Sequence, residues 1–592
     1  MNTGGKHVVN PLLSTVSDAY KVIREHAGGE ASARRFKLAI LRNFSAEYLV
    51  PFIRAYFRRA GIEIDIVLGG FDTVQQDIFT PQFFEGVDLV VLALDLDALA
   101  PDWLTGGTYL ADLADRIAAL ASSALERVSV PVIVNSFIRP VDFTAGLTAL
   151  ADPDSADSRI VQANMALHRL AQDHRGKIIL IDWERLAIIA GAEDTFDRRM
   201  AYVTRSPYKA GFLSAYAYEI FKIGNALRGG TKKCLILDCD NTIWGGVVGE
   251  VGADGIALSR NDYPGRAFYD FQRSIVRLAK RGIMVALCSK NNEEDVLAII
   301  DRHPDCLIRR EHLVSWRINW TDKERNIADM VAELNIGMDS VVFVDDNPTE
   351  CARVQQFLPD ITVRQAPEKP YLLPSLLDSE GLFDVLTVTE EDRGRTEMYR
   401  AEQQRRQSEG AFPSVEAFLG SLELKATITR YRPEHQAQLA RVAQLTQKTN
   451  QFNLTTRRYS DAEILRFADD PNRLVMGMSV ADRFGDFGLT GVLIAEIEGD
   501  TARIDSLLLS CRILGRGLER QFAISAIQAL KQGWPVQSIA GEYIPTHKNR
   551  QVADFWPNLG LAPASETATG VVYRAPIDTL NLDPLPYITV IE

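Results

Sequence analysis

The sequence predicts an α/β multidomain protein, and three observations carry that prediction. At 592 residues the chain exceeds what one hydrophobic core serves, since domains typically run to roughly 100–200 residues. Short apolar runs alternate with amphipathic stretches twice over, from about residue 36 and again from about residue 232. Such strand–helix alternation builds a parallel sheet covered by helices. From about residue 413 the order changes to long strands followed by a helix, which is the pattern of an α+β domain.

The first segment, residues 1–229, contains FKLAIL, IEIDIVL, VDLVVLAL, VPVIVNSF and KIILIDW. Each reads as a buried parallel strand. Between them, AEYLVPFIRAYFRRAG and TYLADLADRIAALASSAL carry helical apolar spacing. The segment closes with AYAYEIFKIGNALRGG, a helix stopped by Gly229 and Gly230. Residues 230–365 repeat the pattern: CLILD, IMVALCS and VVFVDD are strands, with helices near 265–281, 293–302 and 323–335. Residues 366–412 read as a linker, in which a Pro-containing stretch gives way to TEEDRGRTEMYRAEQQRRQSEG, a solvated charged helix. In residues 413–592, two helical stretches precede the strands RLVMGMSVA, GLTGVLIAEIE and ARIDSLLLS. A glycine-containing loop, a helix and the short strand VVYRA follow.

Composition narrows the function classes. The net charge is −13, and no dense Lys/Arg block is interleaved with aromatics, which argues against a nucleic-acid or anionic-membrane surface. A small acidic protein stays open as a partner. The opening MNTGGKHVVNPLLS lacks a charged start followed by an apolar run, so no signal peptide is expected. No stretch reaches the roughly 18–20 apolar residues of a membrane span. The six cysteines form no CxxC pair, a pattern of reduced thiols in a cytoplasm.

The chemistry concentrates in the second segment. Asp238-Cys239-Asp240-Asn241-Thr242 directly follows an apolar strand, and parallel-sheet enzymes work at the carboxyl ends of strands. Two carboxylates at this spacing suit a divalent metal and in-line phosphoryl transfer, one attacking phosphorus and the other shuttling the leaving-group proton. An Asx-type turn is the alternative. The next strand ends in Ser289-Lys290-Asn291, Lys323 opens a helix, and a third strand delivers Asp345 and Asp346. Taken singly, these are an N-cap, a surface charge and a turn. Taken together, in this order, they resemble the four motifs of the haloacid-dehalogenase (HAD) superfamily.

That resemblance implies a HAD-type Rossmannoid domain with Asp238 as phosphoryl-accepting nucleophile and Asp240 as general acid/base. It implies Ser289, Lys290, Asn291 and Lys323 as phosphate binders, and Mg²⁺ held by Asp238, Asp345 or Asp346, and the Asp240 carbonyl. The stretch WGGVVGEVGADGIALS (244–259) is too short for a large cap domain. With NWTDKERNI and VDDNPTEC it closely resembles the FkbH-like glyceryltransferase/phosphatases of HAD subfamily IIIC. That likeness makes Thr242, Trp244, Gly245 and Gly246 a substrate loop. KTNQFNLTTRRYS (448–460) and LLLSCRILGRGLE (507–519) look like the same family's carboxyl-terminal signatures, and residues 1–229 look like its SGNH-hydrolase-like extension. Members of the family dephosphorylate the three-carbon 1,3-bisphosphoglycerate. They load the glyceryl group as a thioester onto the phosphopantetheine of an acyl carrier protein for polyketide-type biosynthesis, with an enzyme cysteine in between. The competing readings are a stand-alone phosphatase with regulatory flanking domains, a related acyltransferase with a different acyl group, and a non-catalytic scaffold for a synthase assembly.

In the last segment, Arg512, Gly515, Arg516 and Gly517 lie between a strand and a helix, where backbone N–H groups offer an anion site. The loop is similar to the pyrophosphate loop of GNAT-type acyltransferases. A pantetheine arm is then expected along LLLS with its phosphate at the loop; a tight turn is the alternative. Cys511 adjoins Arg512 and the helix start, which favours a thiolate and makes it the expected acyl carrier, against a plain buried cysteine. Cys239 is its rival, although strand alternation points it away from the aspartates' crevice. His547 reads as a helix-start surface residue in preference to a thiol activator. In residues 1–229, Asn43-Phe44-Ser45 ends the first strand, but the only late acidic cluster is Asp194 to Arg199, without a DxxH. Ser45 is therefore expected to cap the following helix, and the domain to serve a structural or docking role.

Overall fold

The computed structural model describes residues 12–26, 35–101, 112–128, 130–139, 146, 151–377, 381–386, 388, 412, 414–449, 451–510, 513–546, 549–567 and 569–591. The chain forms two compact units, one of residues 10–228 with 384–387, the other of residues 229–383 with 388–592. Among the described residues no helix is long and apolar enough to cross a membrane.

In the first unit, strands β1 (Phe36–Arg42), β2 (Ile64–Phe71), β3 (Leu89–Ala93), β4 (Val132–Asn135) and β5 (Ile178–Ile181) form one sheet in the order β2-β1-β3-β4-β5. All neighbours run parallel. The five apolar runs of the sequence become these strands because helices bury both faces, so no polar alternation is needed. The strand order reverses between β1 and β3, where an α/β sheet usually opens a ligand crevice. Here polar side chains at that point pair with one another and with the backbone. Asn43 Nδ2 donates to the Asp95 carbonyl (2.9 Å), while Asn43 Oδ1 accepts from the Asp95 N–H (2.6 Å). Tyr208 Oη donates to Asp95 Oδ1 at 2.7 Å. Ser45 does not cap a helix: the helix Leu49–Arg59 starts after Tyr48 without a side-chain cap. The Ser45 hydroxyl instead donates to the Thr204 carbonyl at 2.5 Å.

In the second unit, β6 (Cys234–Leu237), β7 (Met284–Ser289), β8 (Leu313–Ile318), β9 (Val341–Asp345) and β10 (Thr362–Gln365) form a parallel sheet in the order β10-β9-β6-β7-β8. Helices Gly265–Lys280, Glu293–Arg302 and Lys323–Glu333 lie where their periodicity places them. Alternate residues of β6 feed two cores: Leu235 and Leu237 enter one, Cys234 and Ile236 the other. The sequence reading omitted β8 and β10. Both are edge strands that carry polar residues, in SWR and TVRQ. The strand order reverses between β6 and β9, which sets their carboxyl ends side by side.

The remainder forms a nine-stranded sheet. It contains β11 (Leu424–Arg430), β12 (Phe452–Asn453), β13 (Arg473–Asp482), β14 (Gly485–Glu498), β15 (Thr501–Leu509), β16 (Ser538–Tyr543), β17 (Ala562–Glu566), β18 (Val571–Pro576) and β19 (Ile588–Ile591). A strand therefore precedes the two helices Gln436–Lys448 and Asp461–Asp469. Its LKATITR alternates buried and exposed residues, the period-two pattern of a half-buried strand. The charged linker helix expected over 389–410 lies outside the described residues.

Asp95 generates a pH-dependent prediction. Burial pushes its carboxyl up to about 6, against the lowering effect of the Tyr208 hydrogen bond. In the unfolded chain the group ionises near 4. Between about pH 4 and 6 the native state holds a proton that the unfolded state has lost, so stability falls as pH rises through this window and levels off above it. Asp95→Asn cannot ionise. Its thermal stability relative to the parent should rise from pH 4 to pH 6 and then stay constant, by roughly 3 kcal/mol at most. A stability difference that does not vary with pH would refute this.

Candidate active site

Asp238 follows β6 directly, and its N–H continues the ladder to the Val344 carbonyl at 2.9 Å. Asp345 is the last residue of β9. Lys323 is the first residue of the helix Lys323–Glu333. Its Nζ lies 2.8 Å from Asp238 Oδ1 and 2.6 Å from Asp345 Oδ2. All three are almost completely buried, at 5%, 0% and 4% exposure for Asp238, Asp345 and Lys323. The other Asp345 oxygen accepts from the Asn347 N–H at 2.9 Å. Carboxylate oxygens of Asp238, Asp345 and Asp346 lie within 4.8 Å of one another.

The electrostatics follow from this crowding. Burial pushes the Asp238 carboxyl up to about 6; Lys323 works against that shift and the Asp345 charge adds to it. Burial also raises Asp345, again opposed by Lys323. Asp346 is raised by burial and then by the Asp238 charge. Burial alone would lower Lys323, but the two carboxylates outweigh it and raise the ammonium. Three carboxylates thus face one ammonium. A cluster of hard oxygen donors with surplus negative charge fits a hard divalent cation.

Asp240 is held differently. Its Oδ1 accepts from Trp244 Nε1 at 2.8 Å and from the Val248 N–H at 3.2 Å. Its Oδ2 accepts from Asn291 Nδ2 at 3.0 Å, which also donates to Ser289 Oγ at 3.1 Å. The segment turns back on itself through Asn241, at φ 53°, so that Trp244 bridges to Asp240.

The substrate loop expected from the resemblance is largely inside the protein. Trp244 and Thr242 are fully buried, and the Thr242 hydroxyl has no hydrogen-bond partner. Gly245 pairs with Ala257, and a Cβ on it would come within 2.8 Å of the Phe268 ring. Gly246, at φ 92°, donates to Asn241 Oδ1 at 2.8 Å. Two further expectations change. Lys290 is paired with Glu350 (2.9 Å) and Asp322 (3.8 Å), not aimed at the Asp238–Lys323 pair. Asn291 spends its amide on Asp240 and Ser289. Sequence reasoning also missed Glu350, whose position one turn into the helix Pro348–Phe357 is the signal that it can reach back to β7.

The pantetheine expectation also meets an obstacle. On one side β15 pairs with β14 along its length. On the other it pairs first with β16 over Thr501–Ile504, and then Leu508 and Leu509 pair with β12. Leu454 N–H donates to the Leu507 carbonyl (3.2 Å) and Ile544 N–H to the Leu454 carbonyl (2.9 Å). This chain's own segment therefore occupies the edge along which the arm was expected. Gly515 and Gly517 have φ of 78° and 75°, and Gly517 precedes the helix Leu518–Gly533. Arg516 is buried, with its guanidinium over the Phe487 ring. Cys511, Arg512 and His547 lie outside the described residues. Cys234, Cys288 and Cys351 are pushed up to about 12 and Cys306 to about 11, in each case mainly by burial. Cys239 is fully buried in the core with Leu235 and Leu237, and its thiol is raised well above the usual range by burial and then by Asp238.

Residues 233–362 match the NLI interacting factor-like phosphatase family. The structure is similar to the N-terminal part of a Bacteroides fragilis protein containing a phosphatase domain, complexed with Mg. The TM-score is 0.58 and the identity 26%, over 63% of this chain and 100% of that one. Over 26% of this chain it is also similar to a putative GNAT-family acetyltransferase from Desulfovibrio desulfuricans (TM-score 0.21, 11% identity, 99% of that chain). It is likewise similar, over 26% of this chain, to PaiA N-acetyltransferase from Thermoplasma acidophilum in complex with coenzyme A (TM-score 0.20, 16% identity, 98% of that chain). No curated protein matches the chain. The segment around Asp238 is a phosphatase domain of the HAD type.

Removing the cation should be costly. Lys323→Met leaves two buried carboxylates without their counter-charge, a change worth about 3–5 kcal/mol. The chemical denaturation midpoint should drop accordingly, and adding Asp345→Asn should recover part of the loss. If the double variant is less stable than Lys323→Met, the pair is not held together as described.

Proposed function

We propose that this chain is a Mg²⁺-dependent HAD phosphatase that couples dephosphorylation to acyl transfer. Its substrate would be 1,3-bisphosphoglycerate and its product a glyceryl thioester on the phosphopantetheine of an acyl carrier protein. The observation that carries the phosphatase part is the buried bridge from Asp238 through Lys323 to Asp345, with Asp346 in the same cluster. Asp238 attacks the phosphorus of the C3 ester, Asp240 protonates the leaving C3 oxygen and then takes a proton from the water that releases phosphate, while the thiol would attack the C1 acyl carbon and displace the second phosphate. Lys323 and Ser289 hold the phosphoryl oxygens. Asp238, Asp345 or Asp346, and the Asp240 carbonyl would hold the metal, which neutralises phosphate charge when bound. The Mg bound by the Bacteroides relative supports that choice of cation.

The acyl-transfer part rests on the family resemblance at 244–259, 448–460 and 507–519. Elimination supports Cys511 as the thiol, because the five other cysteines are buried and held protonated. One observation favours the plain phosphatase instead: β12 fills the strand edge on which a pantetheine arm would pair.

Two measurements test the reading. Asp238→Asn should lose phosphate release by at least a thousandfold while its circular dichroism stays unchanged; retained turnover would exclude the mechanism. Intact-mass spectrometry after incubation with 1,3-bisphosphoglycerate and Mg²⁺ should reveal a glyceryl adduct that is absent from Cys511→Ala and passes to a holo carrier protein. Phosphate release with neither adduct nor carrier loading would leave the plain phosphatase.

A further inference from the structure

We propose that Trp244 is a positioning residue that leaves Asp240 one oxygen, Oδ2, with which to pass a proton to the leaving group. This rests on the phosphatase reading above, in which Asp240 is the general acid and base. A carboxyl oxygen offers two lone-pair positions. On Oδ1 both are taken, by Trp244 Nε1 at 2.8 Å and the Val248 N–H at 3.2 Å. Oδ2 receives one donor, Asn291 Nδ2 at 3.0 Å, and keeps one position.

The indole cannot follow Asp240 if the carboxyl turns. Trp244 is fully buried in the core that holds Leu237, Ile243, Phe268 and Phe271. Turning the carboxyl would strand a buried indole N–H without an acceptor, which is unfavourable. The Val248 N–H is backbone, and the Asn291 amide is tied to Ser289 as well. Asp240 is therefore held from both ends, with Oδ2 as its working atom.

The chemistry balances on that atom. As the Asp238 oxygen bonds to phosphorus and the ester P–O bond breaks, the proton on Oδ2 moves to the departing oxygen, giving an alcohol and an aspartyl phosphate. Water then attacks phosphorus, its proton returns to Oδ2, and the aspartyl P–O bond breaks to release phosphate and restore Asp238. A residue that only orients Asp240 matters most where the leaving oxygen needs its proton.

The test compares two aryl phosphates in the full-length protein with Mg²⁺. p-Nitrophenyl phosphate has a leaving group that departs readily as an anion, whereas phenyl phosphate depends on protonation. Trp244→Phe keeps a ring in the core and removes the N–H. Its kcat on phenyl phosphate should fall at least tenfold, since a positioned general acid contributes about 10²–10⁴-fold. On p-nitrophenyl phosphate kcat should change less than about threefold, and KM should stay put for both. Placed in an Asp240→Asn background, Trp244→Phe should cause no further loss. Equal losses on the two esters, or additive losses in the double variant, would overturn the proposal. If Trp244→Phe fails to fold, Trp244→Met, which also removes the N–H while keeping an apolar side chain, serves instead and should give the same inequality between esters, equal losses again counting against it. Absence of turnover of both esters by the parent protein, or turnover surviving Asp238→Asn, would overturn the phosphatase reading itself, which separates the two failures.

Discussion

The site depends on one buried ammonium. Two parallel strands that end side by side bring Asp238 and Asp345 to one point, and like charges at that separation in a dry interior repel strongly. Lys323 enters from the helix after β8 and bridges both carboxylates. Buried charges are tolerated when paired and hydrogen-bonded, and the same pairing is the geometry on which the proposed mechanism relies. The ammonium that offsets the two carboxylates is also the group proposed to meet a phosphoryl oxygen. Around it the protein neutralises other charges locally. Lys290 goes to Glu350, and Arg353 to Asp322 and Glu324, so the rim of the crevice is cross-braced between β7 and the two helices that follow β8 and β9.

Much of this was legible in the sequence because strand ends in parallel sheets have a simple grammar. An apolar run followed by DCDNT, SKN or DDNP announces a carboxyl end facing the crevice, and Asp238, Asp240, Ser289 and Asp345 lie there. What spacing cannot encode is which partner a long side chain chooses. Lys290 sits next to Ser289 in sequence, yet its four-carbon arm reaches Glu350 on another helix. Trp244 reads as part of a glycine-rich loop, but the turn at Asn241 folds it inward against Asp240. Edge strands with mixed polarity, such as β8 and β10, escaped a reading tuned to continuous apolar runs.

The first unit makes a related point about crevices. Its sheet has the same kind of switch point between β1 and β3, but Asn43, Asp95 and Tyr208 satisfy one another there. Ser45, the hydroxyl nearest the first strand end, is spent on the Thr204 carbonyl. Two parallel sheets in one chain therefore differ in what they do with the same topological opportunity. One leaves carboxylates in surplus over cations, and the other pairs its polar groups internally.

The same reasoning bears on the last sheet. A pantetheine arm was expected along LLLS, and a strand edge already paired offers it no free backbone groups. Phe452 and Asn453 take that edge of β15, and the closure is reinforced from both sides. Asn549, which is fully buried, donates to the Asn453 and Ile544 carbonyls. Arg457 reaches Asp505 on β15 and Glu542 on β16. The stretch 448–460 that supports the family resemblance is thus the stretch that seals the gap between β15 and β16.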